Sequence, residues 1–122
     1  MINRLKEAAH EAAKAKGFHG SEVNTETVAY LIANLHGEVN ELWEAYRKGE
    51  LDIESEKAEE MRARGLKPLT FAEEEIADIL IYLMDIAGLL DVDVENAVAT
   101  KMEFNTGRPW RHGDKGIPPL RR

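Results

Sequence analysis

Apolar residues recur at spacings of three and four along most of this chain, and the strict alternation that a half-buried strand needs is absent. Ile2 to about Lys16, rich in Ala, Lys and Glu, predicts a first helix stopped by Gly17. Residues 18–23 read as a loop. Asn24 or Thr25 can cap a second helix that runs to about Lys48, where Gly49 follows the basic pair Arg47-Lys48. Its apolar stripe is Val28, Leu31, Ile32, Leu35, Val39, Leu42 and Tyr46. The charged stretch from Leu51 to Leu69 ends in Gly65-Leu66-Lys67-Pro68 and predicts a mobile connection with room for one short helix. Thr70 and Glu73 form a capping box that opens a helix to about Leu90. Asp91 or Asp93 then caps a last helix through about Asn105, ended by Gly107 and Pro109. The fold class is therefore all-α, most simply a four-helix bundle.

The helix from Thr70 is apolar nearly all round, which predicts a central position. Its acids beyond the first turn are Asp78 and Asp85, and Glu75 lies one turn before Asp78. On the second helix, Glu38 falls at the edge of the apolar stripe between Leu31, Leu35 and Leu42, with Glu41 further round the flank and Glu44 on the far side. Two i, i+3 carboxylate pairs thus meet apolar surroundings on two helices. If those helices pack antiparallel, Glu38, Glu41, Glu75 and Asp78 share one cleft. Burying carboxylates without a cation costs several kcal/mol each, about enough to force protonation. An oxygen-only donor set suits a hard divalent ion, Mg²⁺ with Mn²⁺ as substitute. E-x-x-E is also common on solvated helix faces, so the spacing by itself is weak evidence. A di-iron bundle needs two Glu-x-x-His motifs; only Glu7 to His10 supplies one, and His10 and His36 read as core or rim residues.

At 122 residues the chain reads as one all-α domain over 1–106 followed by a basic, Pro-containing tail over 107–122. Its core is small, so assembly into a homodimer or homotetramer would complete it. Zero cysteines exclude disulfides and thiolate sites, and a net charge of −7 argues against non-specific nucleic-acid binding. A charged amphipathic start, and a nearly uncharged run from Ile76 to Leu90 too short to span a bilayer, predict a cytoplasmic protein without membrane attachment. From Lys101 to Arg122, six Lys/Arg stand against Glu103 and Asp114. An acidic body with a basic tail suits a metal–polyphosphate ligand, and equally a solvated tail. Lys101 and Asn105 share a helix face and Arg108 lies a turn on, so two cations and an amide can hold phosphate oxygens.

Three blocks now carry a resemblance: Gly37-Glu-Val-Asn-Glu-Leu-Trp-Glu-Ala-Tyr-Arg-Lys-Gly49, Glu74-Glu-Ile-Ala-Asp-Ile-Leu-Ile-Tyr82, and Lys101-Met-Glu-Phe-Asn-Thr-Gly-Arg-Pro-Trp-Arg-His-Gly113. In this order they resemble the MazG-like, all-α nucleoside triphosphate pyrophosphatases. The resemblance implies Mg²⁺-dependent hydrolysis of a nucleoside triphosphate to monophosphate and pyrophosphate by a dimer or tetramer. It implies Glu38, Glu41, Glu75 and Asp78 as catalytic metal ligands and Lys101, Asn105 and Arg108 as phosphate-binding residues. Any of the four acids can serve as proton acceptor. The chain departs from the pattern in the 33 residues between Glu41 and Glu75, longer than is usual, and in Ala12 and His19, where relatives often carry an amide and an aromatic. Base contacts are accordingly left unassigned; Trp43 reads as a core or interface residue before a base-stacking one. The R-P-W-R-H-G tail is most similar to phage-type and stand-alone bacterial members, which implies deoxynucleotide pool control with dGTP as substrate. The competing class is a non-catalytic acidic helical module that binds a basic partner.

Overall fold

Thr70 opens the helix around which the rest of the chain is arranged. Its Oγ1 accepts from the Glu73 N–H at 3.2 Å, and its own N–H donates to Glu73 Oε1 at 2.9 Å, the reciprocal capping box expected. The computed structural model describes residues 1–17 and 25–107. Over these the chain forms α1 (Ile2–Ala15), α2 (Thr25–Arg47), α3 (Ala58–Ala63), α4 (Phe71–Leu89) and α5 (Val94–Thr106). The four expected helices are present within a residue or two of their expected ends, and α3 is the short additional one.

α4 packs against both α1 and α2 and so lies at the centre, as its apolar surface demands. α1 runs antiparallel to it: Lys6 Nζ donates to the Val92 carbonyl at 2.7 Å, while His10 Nδ1 lies 2.9 Å from Asp85 Oδ1. The two helices meet closely at Gly88, where a Cβ would stand 2.5 Å from the His10 ring. Asp91 takes a left-handed φ of 54°, a conformation its short polar side chain tolerates, and this turns the chain into α5. Asp93 caps α5 by accepting from Asn96 N–H at 3.0 Å. Asn3 of α1 adds a second cap, its Oδ1 accepting from Val94 N–H at 3.0 Å.

Residues 51–69 were expected to be a mobile connection, and the structure corrects this. The Phe71 N–H donates to the Ile53 carbonyl and the Ala72 N–H to the Leu51 carbonyl, both at 2.9 Å. The Ser55 N–H reaches the Leu69 carbonyl at 2.9 Å, and Glu54 pairs with Thr70 in an isolated antiparallel bridge. The segment therefore supplies partners to N–H groups of the first turn of α4, which a helix cannot satisfy internally. Backbone bonding of this kind is invisible to a reading of charge and glycine content.

The enclosed core is small: Ala13, Leu31, Ala45, Ala58, Met84, Ile86 and Val94. Ile76, Leu80 and Leu83 of α4 and Val98 and Met102 of α5 remain more than 40% exposed. No helix among the described residues is long and apolar enough to cross a membrane.

Candidate metal centre

α2 and α4 run antiparallel, so Glu38 and Glu41 come up against Glu75 and Asp78. Carboxylate oxygens of Glu38, Glu41 and Glu75 lie within 4.8 Å of one another, and so do those of Glu74, Glu75 and Asp78. Glu75 belongs to both groups and is the most enclosed acid of the cluster, with 7% of its surface exposed. The helical pattern set Glu38 and Asp78 in apolar surroundings with Glu41 and Glu75 about a turn away; Glu38 and Asp78 are half-buried and Glu41 is exposed. Glu74 was missed, although its i, i+4 relation to Asp78 in Glu-Glu-x-x-Asp was a readable signal.

Two oxygens in this cluster, Glu38 Oε2 and Glu75 Oε2, are buried without a hydrogen-bond partner among the described residues. An unpartnered buried carboxylate oxygen is rare in native proteins because its desolvation goes uncompensated. The consequence is seen in proton affinity. Burial, then hydrogen bonding and repulsion from Glu41, raise the Glu38 carboxyl from 4.5 to about 7. The Glu75 carboxyl rises to about 7 for the same reasons, with Asp78 and Glu38 adding to the repulsion. Asp78 is also raised, by burial and by Glu74, against an opposing pull from Lys57. Without a cation the cluster must keep protons near neutrality; a divalent ion removes that need. The donors are all carboxylate oxygens, no histidine joins them among the described residues, and this chemistry fits Mg²⁺ or Mn²⁺.

Beside the acids lies an open groove of about 340 Å³. Glu41, Glu74 and Glu75 form its acidic wall, Ala45 and Phe71 contribute apolar surface, and Lys48 and Lys57 bring positive charge. Glu44, expected on the far side, also lines it and pairs with Arg47 at 3.0 Å. Lys57 carries no local sequence signal, because only the path of the 51–69 segment brings it there. A second cavity, of about 280 Å³ and mostly apolar, lies between α1 and α4 and is lined by Ala9, Ala12, Ala13, Ile81, Tyr82 and the edge of Asp85, with Lys16 at its mouth. Burial raises the Tyr82 hydroxyl, and the charges of Glu38 and Asp78 raise it further, so Tyr82 links this cavity electrostatically to the acid cluster.

Lys101 and Asn105 are exposed on α5 and do not line the acidic groove. The Lys101 ammonium stands over the Phe104 ring, 5.0 Å from its centroid. Arg108 and His19 lie outside the described residues. Trp43 is exposed and stacks on Tyr46 with centroids 5.3 Å apart, and His10 belongs to the α1–α4 contact with Asp85.

Comparison with known proteins finds a partial likeness. Over 42 residues, 34% of this chain, it is 45% identical to the dATP/dGTP diphosphohydrolase of Cyanophage S-2L. The same identity over the same length holds for the dATP/dGTP diphosphohydrolase of Salmonella phage PMBT28. The matched stretch spans 40% of the first relative and 14% of the second. No protein-family model and no solved structure matches the chain.

Proposed function

We propose that this chain is a Mg²⁺-dependent nucleoside triphosphate pyrophosphohydrolase that converts a purine deoxynucleoside triphosphate, dGTP before dATP, into monophosphate and pyrophosphate. The observation that carries the reading is the pair of buried, unpartnered oxygens on Glu38 and Glu75, set on facing helices beside a groove with lysines on it. The phage relatives named for dATP and dGTP supply the substrate class.

In this reading Glu38, Glu41, Glu75 and Asp78 hold the metal, with Glu74 beside them. Mg²⁺ held there would supply positive charge against the departing phosphate group and make a nearby water more acidic. Water attacks one phosphorus of the α–β bridge, that P–O bond breaks, and the water's proton passes to a carboxylate. Our assignment for this base is Glu41, the exposed member of the four, with a carboxylate oxygen within 4.8 Å of both Glu38 and Glu75. The apolar cavity beside Tyr82 takes the base, and Lys101, Asn105 and Arg108 hold phosphate. The exposed apolar surface of α4 and α5 is covered by further copies of the chain in a dimer or tetramer.

A panel of all common NTPs and dNTPs with Mg²⁺ or Mn²⁺, scored by monophosphate and pyrophosphate formed, tests the proposal. Highest turnover is expected on dGTP and dATP, with none in chelator. Release of inorganic phosphate in place of pyrophosphate would overturn the bond assignment. No turnover, with no Mg²⁺-dependent rise in melting temperature, would favour an acidic module that binds a basic partner.

A further inference from the structure

Lys57, the residue immediately before α3, stands over the acidic groove on an anchored stretch of backbone. Its N–H donates to Ser55 Oγ at 3.3 Å, and the buried Ser55 hydroxyl donates in turn to Glu74 Oε1 at 3.0 Å. On one side the Ser55 N–H is held by the Leu69 carbonyl, and on the other the Ala58 N–H by the Ser55 carbonyl at 3.1 Å. The position of Lys57 is thus tied to the first turn of α4, which carries Glu74 and leads into Glu75.

The side chain lines the groove with those two acids and Glu41. Its charge is felt at both Glu38 and Asp78, where it acts against the upward push of burial. Yet among the described residues Lys57 forms no ion pair with any carboxylate within 4 Å. An ammonium held among the acids of the groove but touching none leaves a gap between opposite charges. Metal-loaded carboxylates on one side and an ammonium on the other would bracket an anion such as a phosphoryl group.

We infer that Lys57, contributed by the segment between α2 and α4, is a phosphate-binding residue that holds an unesterified oxygen of the triphosphate across the groove from the carboxylate cluster. This rests on the function proposed above. A cation that merely offset the acids would behave oppositely towards the two ligands of the site. Removing it would tighten Mg²⁺ binding and leave the triphosphate untouched.

The test compares wild type with Lys57→Ala and Lys57→Arg by titration calorimetry, using Mg²⁺ alone and then the α,β-methylene analogue of dGTP with Mg²⁺, alongside steady-state kinetics. Lys57→Ala is expected to bind Mg²⁺ alone as tightly as wild type or more so. It should bind the analogue about ten- to a hundredfold more weakly, with KM raised to match, and Lys57→Arg should recover most of the loss. Unchanged analogue affinity in Lys57→Ala overturns the inference. So does weakened binding of Mg²⁺ alone, which would mark Lys57 as structural. A wild-type protein that binds the analogue yet hydrolyses no triphosphate defeats the reaction but leaves the role of Lys57 standing; one that binds no analogue defeats both.

Discussion

The Ser55 hydroxyl donates to Glu74 Oε1 at 3.0 Å, joining the segment after α2 to the acid-bearing end of α4. Ser55 is buried, so its hydroxyl and one oxygen of Glu74 satisfy each other away from water. Ser55→Ala should lower stability by about 1–2 kcal/mol and speed amide exchange at Ser55 and Phe71, whose N–H groups bond across the same seam. Unaltered exchange at both positions would show that the backbone bonds hold the segment without the side chain.

The raised carboxyls make metal-free stability depend on pH in a defined direction. Unfolded, Glu38 and Glu75 release protons near 4.5; folded, they do so near 7. Between these values the native state holds more protons than the unfolded chain, so stability is fully present below about 4.5 and is lost as pH rises towards 7. Melting temperature in chelator should therefore fall across this window and level off above it, while saturating Mg²⁺ should flatten or reverse the slope. A metal-free melting temperature that climbs steadily from pH 5 to 7 would contradict the described crowding of acids.

Glu75→Gln separates stability from activity. It keeps the shape of the side chain and removes the most enclosed negative charge of the cluster. The metal-free protein should gain on the order of 1 kcal/mol at pH 8. Loss of outer-shell partners already costs up to about a hundredfold in metal affinity or activity, so turnover should fall by at least that. Full activity in this variant would remove Glu75 from the site.

Gly88→Ala probes the contact between α1 and α4. The added methyl would meet the His10 ring at 2.5 Å, well inside van der Waals contact, and should cost about 1–3 kcal/mol. In the His10→Ala background the same change should cost clearly less, since the ring is the obstacle. Additive losses in denaturant unfolding would show that the strain lies elsewhere.

Much of this fold was legible because its signals are local. The Thr70–Glu73 capping box, the Asp93 cap and the all-round apolar surface of α4 each follow from a few adjacent residues, and each is found. The juxtaposition of Glu38 and Glu41 with Glu75 and Asp78 was legible given antiparallel packing, since helical spacing fixes which side chains share a face. The ranking of burial was not. Glu75 is deeper than Asp78 because α2 covers it, and a wheel drawn for one helix contains no neighbour. The 51–69 segment was misread for the same reason. Its order comes from bonds such as Phe71 N–H to the Ile53 carbonyl, eighteen positions away in the chain, and no local pattern encodes them. Lys57 was invisible until that path was known.

The bonds from Leu51 and Ile53 to the head of α4 also bear on how this gene product can be engineered. A stretch this rich in charge invites excision, or replacement by a flexible tether, when a minimal version is wanted. Here such surgery would strip a splint from the helix that carries Glu74, Glu75 and Asp78. The shortened product should keep α1, α2, α4 and α5 yet splay at the end where the acids converge.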